Sequence, residues 1–180
     1  MTDSMFSTLL DLMKEPPGNA GGIKTDDSIL LIYPPEKELD FREQLLDRFV
    51  PLLEARNTPY HLLDLTGFIF KELSSEEIES VQQEEFDDYR WMLQSLSKRI
   101  EVALHNHLTD LDRETPARNI LVFGAAALYP LVRFGEILSS LRDLSSRIVL
   151  AYPGEERGGK LHFMGQPDGG NYLAVKLFWR

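Results

Sequence analysis

Residues 119–138, NILVFGAAALYPLVRFGEIL, decide how this chain folds. Ile120 to Phe123 is a short run without polar interruption, the pattern of a strand buried on both faces. Gly124 and three alanines make a compact turn. Tyr129-Pro130 then opens a second apolar series, Leu131, Phe134, Leu138 and Leu141, at helical spacing. Strand, small-residue turn and helix is the unit from which nucleotide-binding α/β domains are assembled.

The same alternation recurs on the N-terminal side. Ser28 to Tyr33 is apolar without alternation and closes at Pro34-Pro35. Glu36 to Arg56 carries Leu39, Leu45, Leu46, Phe49, Leu52 and Leu53 at helical spacing, with Pro51 placed to kink or end the helix. Tyr60 to Leu65 reads as a second buried strand, with Asp64 near its end. Upstream, Ser4 to Glu15 is a short amphipathic helix stopped by Pro16-Pro17. Thr66 to Leu73 fits either a short helix or a loop.

From Ser74 the longest helical pattern runs to Arg113, and Ser74 and Glu77 have the spacing of a capping box. Unbroken, it would extend roughly 55 Å at 1.5 Å per residue, so a break near residues 84–88 or a projecting helix is expected. Beyond the central unit, Arg147 to Tyr152 is a fourth strand, closed by Pro153-Gly154. Lys160 to Gly165 and Tyr172 to Phe178 alternate more and read as an antiparallel hairpin at a sheet edge. The order predicts one α/β domain over residues 1–180. Its form is a Rossmann-like, nucleotide-binding-like three-layer sandwich: a mainly parallel sheet with a C-terminal antiparallel edge hairpin. The helices at 4–15 and 75–112 are its peripheral parts.

Composition narrows the functional classes. The chain has no cysteine, which excludes disulfides, iron–sulfur clusters and cysteine-ligated zinc. No basic segment precedes the first apolar residues, so no signal peptide is expected. The longest nearly apolar run, Ile120 to Val132, is too short for a bilayer that takes about 20 residues. No membrane contact and a cytoplasmic location are therefore expected. A net charge of −10 argues against direct contact with nucleic acid. Seven acids between Glu76 and Asp88, with no Lys or Arg among them, supply most of that excess.

In open α/β sheets ligands bind beyond the carboxyl ends of the strands. Those ends present Tyr33, Asp64, Gly124 and Tyr152, with Arg133 at the start of a helix, and this crevice is where a small-ligand or nucleotide sensor would act. A dinucleotide site needs glycines after the first strand, and Pro34-Pro35-Glu36 stands there instead. Gly154 to Lys160 matches the spacing of a phosphate-binding P-loop. However, Leu161 replaces the magnesium-coordinating hydroxyl, a strand follows where a helix is needed, and Glu155-Glu156 would repel phosphate. An exposed β-turn is the expectation for that segment. His105 and His107 are two apart on a helix and cannot chelate together. No catalytic residue, cofactor or metal is assigned, and a non-enzymatic protein is expected.

Three stretches together resemble the BrxB-like family of bacteriophage exclusion (BREX) defence systems. They are Leu31 to Leu39 with the following helix and strand, Phe123 to Leu138, and Leu150 to Glu155 with Gly159 to Gly165 and Asn171-Tyr172. Tyr152-Pro-Gly-Glu155 before a Leu-x-Phe strand is the most specific part. The family's central turn reads more like Gly-Val-Gly where this chain has Gly124-Ala-Ala. The resemblance implies a small subunit of an antiviral defence complex with no assigned catalytic activity. It also implies a PglZ-type alkaline-phosphatase-like subunit as partner, bound through protein–protein interaction. Tyr129, Arg133, Tyr152, Glu155 and Tyr172 are the candidate docking residues. Four lie past strand ends or at the central helix, and Tyr172 opens the last strand. Tyr and Arg are also the types enriched at interface hot spots. The alternative is that Tyr129 and Tyr172 are partly buried and that Arg133 pairs with Glu136 or another acid.

Overall fold

A computed structural model describes residues 2–17, 27–83, 89–116, 118–168 and 173–179. Helix α1 (Thr2–Lys14) precedes strand β1 (Ile29–Tyr33), and a 3-10 turn at Pro35–Lys37 leads into α2 (Glu38–Glu43). A π-helical stretch, Gln44–Phe49, joins α2 to α3 (Val50–Ala55). Pro51 lacks the N–H that an α-helix needs. The wider π turn, in which Val50 N–H reaches the Leu45 carbonyl, carries the helix past it to Ala55. After β2 (Tyr60–Asp64), the undecided segment forms α4 (Phe68–Glu72).

The long helical pattern is carried by two helices, α5 (Ser75–Gln83) and α6 (Tyr89–Glu114). Arg99 pairs with Glu77 and donates to the Glu72 carbonyl at 2.6 Å. In one straight helix residues 77 and 99 would stand about 33 Å apart, so α5 folds back along α6. The expected break, at residues 84–88, lies outside the described residues. The capping box at the start of α5 forms as the spacing predicts. Ser74 N–H meets the Glu77 carboxylate at 2.7 Å, and Glu77 N–H meets Ser74 Oγ at 3.3 Å.

Strand β3 (Asn119–Phe123), a 3-10 turn at Ala125–Leu128 and α7 (Phe134–Ser140) realise the central unit. Then come β4 (Arg147–Arg157), β5 (Lys160–Phe163), β6 (Gln166–Pro167) and β7 (Val175–Phe178). The main sheet runs β2-β3-β4-β1-β7, with every neighbour parallel. Alternate strand residues feed two separate apolar layers. Ile29, Leu31, Tyr33, Leu121, Phe123 and Val149 pack under α1 and α2–α3. Leu30, Ile32, Ile120, Val122, Leu150 and Tyr152 pack under α4, α6 and α7. The molecule is therefore a three-layer α/β sandwich with a mostly parallel sheet.

Four expectations need correcting. β4 does not close at Pro153-Gly154 but continues to Arg157, and its outer half pairs antiparallel with β5, which pairs with β6. The antiparallel part is therefore β4-β5-β6. Val175–Phe178 does not pair with Lys160–Phe163 but joins the parallel sheet beside β1. β2 is an edge strand with Leu62 exposed, not a strand buried on both faces, because nothing pairs on its outer side among the described residues. Helix α1 is not peripheral either, since Leu9 and Met13 are fully buried in the layer beneath it.

Candidate functional site

The carboxyl ends of the parallel strands are where a ligand crevice would form, and the two tyrosines there are buried in the apolar layers, one on each face of the sheet. Tyr33, at the end of β1, is 1% exposed; its ring stacks on Phe41 at 4.0 Å and its hydroxyl donates to Glu38. Burial, then that hydrogen bond and the charge of Glu38, push its hydroxyl far above the ordinary phenol range. Tyr152, on β4, is 0% exposed, packs edge-on against Phe163 and donates to Asp168 Oδ2 at 3.0 Å. Tyr152 therefore presents no side chain to a partner, contrary to its place among the candidate docking residues.

The β4–β5 hairpin lies over the same end. At Gly154 a Cβ would sit 2.1 Å from the His162 carbonyl oxygen and 2.7 Å from the Tyr152 ring, so only glycine lets the two strands close. Gly158 and Gly159, both at positive φ, form the two-residue turn between Arg157 and Lys160. The P-loop-like spacing is thus spread over two antiparallel strands, and Lys160 begins a strand.

Asp64 and Gly124 meet on the neighbouring strands. Asp64 Oδ1 accepts from Thr66 N–H at 2.8 Å and Thr66 Oγ1 at 2.5 Å, and Oδ2 faces Arg42 at 3.3 Å. The Arg42 guanidinium also lies 5.2 Å over the Phe123 ring. Gly124 is left-handed at φ 75°, and a side chain there would strike Thr66 Oγ1 at 2.8 Å. These polar groups satisfy one another. Tyr33, Asp64 with Gly124, Arg133 and Tyr152 do not converge on one opening.

Of the remaining rim residues, Tyr129 and Arg133 are exposed and Glu155 is half-buried. Tyr129 is 40% exposed, and its ring leans on Phe163 at 6.2 Å. Arg133 caps the start of α7, with its guanidinium 4.0 Å from Glu136 and its N–H toward Glu101 at 3.4 Å. Glu155 pairs with Arg157. Tyr172 lies outside the described residues. Between α6 and the Pro130 turn is a shallow groove of about 560 Å³, lined by Leu93, Val102, Pro130 and Leu131 and by both signs of charge, Lys98 and Arg133 with Glu101 and Glu136. Its shape was not legible in the sequence, because α6 and the turn are brought together only by tertiary packing.

At the opposite end of the sheet stands a residue the sequence reading passed over. Arg147 is buried, and its guanidinium reaches the carbonyls of Leu12 at 2.6 Å, Glu15 at 3.0 Å and Pro16 at 3.5 Å, and Asp27 Oδ1 at 3.4 Å. Asn119 adds a hydrogen bond to the Met13 carbonyl at 3.0 Å. A cation here caps the carboxyl end of α1 and favours its dipole. An arginine opening an otherwise apolar strand was the available signal. Among the described residues no group of three or more His, Asp or Glu could hold a metal ion, and no helix is long and apolar enough to cross a membrane.

No curated protein and no solved structure matches the chain. The family described as BREX protein BrxB matches residues 61–177, from the edge strand β2 to within β7. That span covers well over half of the sequence and holds the central unit, the Tyr152-Pro-Gly-Glu155 phrase and the β4–β5 hairpin. The chain belongs to the BrxB family, and with it to the components of BREX phage defence.

Proposed function

We propose that the chain is a non-enzymatic interaction subunit of a BREX complex, docking onto the PglZ-type alkaline-phosphatase-like subunit. The observation that supports this reading is the burial of the strand-end tyrosines: Tyr33 and Tyr152 turn into opposite apolar layers and offer no side chain to a nucleotide or small ligand. A sensor needs an open pocket with convergent polar groups, whereas a docking subunit does not. The exposed Tyr129 and Arg133, beside the groove along α6, and Glu155 on the β4–β5 hairpin supply the contact surface in this reading.

The test is recovery of the co-expressed PglZ-type partner by tagged Tyr129→Ala and Arg133→Ala variants that retain the wild-type circular dichroism spectrum. Truncating a hot-spot residue costs about 2 kcal/mol, or roughly thirtyfold in affinity. Wild-type recovery by both variants rules out this rim as the interface. Calorimetry serves the second half of the proposal: the isolated chain is expected to show no magnesium-dependent ATP binding. Micromolar binding that Lys160→Ala abolishes would overturn the non-enzymatic reading.

A further inference from the structure

We draw no further inference here: the strongest candidate, the groove between α6 and the Pro130 turn, belongs to the surface already proposed for docking, and with both signs of charge lining it nothing in the structure shows what covers it.

Discussion

Arg147 shows how much one side chain can hold in this molecule. Its planar guanidinium serves carbonyls from the last turn of α1 and the residues after it, and the carboxylate of Asp27 as well. Arg147→Ala removes a buried guanidinium that donates to the Leu12, Glu15 and Pro16 carbonyls, and a cost of about 3–5 kcal/mol is expected. Urea denaturation is the check, and a midpoint within error of wild type would refute the role. Arg147→Lys is expected to recover only part of the loss, because one ammonium cannot span the same acceptors. The identity of this residue was readable in the sequence, but its role was not. Its acceptors are carbonyls that come near it only after α1 has docked. Tyr152 teaches the converse. Its place at a strand end was read correctly, yet its burial depends on Phe163 and Asp168 arriving from a hairpin that local pattern did not reveal.

At the scale of elements, the α5–α6 hairpin has a pH-dependent latch. The Glu77 carboxyl is held down to about 2 from its ordinary value of 4.5, first by Arg99 and then by the Ser74 amide and hydroxyl. A depressed carboxyl contributes stability that is present above pH 4.5 and is lost as pH falls from there toward 2. Amide exchange in α5 is therefore expected to quicken over that window while β3 and β4 stay protected. Glu77→Gln is expected to show the faster exchange already at pH 7. An α5 that exchanges identically in both proteins at pH 7 would refute the latch. The capping box was legible because it is a local spacing of four residues. The Arg99 contact was not legible, since it depends on α5 turning back along α6. The same distinction explains the strands. Ser28–Tyr33, Asn119–Phe123 and Arg147–Tyr152 announce themselves by continuous apolar residues. The pairing of Val175–Phe178 with β1 leaves no local trace.

For the whole molecule the decisive feature is the place of β1. The stretch matched by the family begins at residue 61, yet β1 lies between β4 and β7, all five of its residues are buried, and both apolar layers draw on it. A chain lacking residues 1–60 is expected to show no cooperative thermal transition, because β7 loses its partner and the layer under α1 loses its cover. A sharp melting curve from residues 61–180 would refute that dependence. The position of β1 also governs the order of events during synthesis. β1 leaves the ribosome long before its neighbours, which begin at Arg147 and Val175. Emerging residues up to β3 can pair only β2 with β3, so β1 stays without hydrogen-bonded strand neighbours until β4 has been made. From β1 to β4 the nascent chain thus carries Ile29 to Tyr33 with open backbone groups, and α1 and α2–α3 are the elements at hand to cover their apolar side chains. Substitutions that loosen α1 or α2–α3 are therefore expected to lower folded yield more than their equilibrium cost alone would.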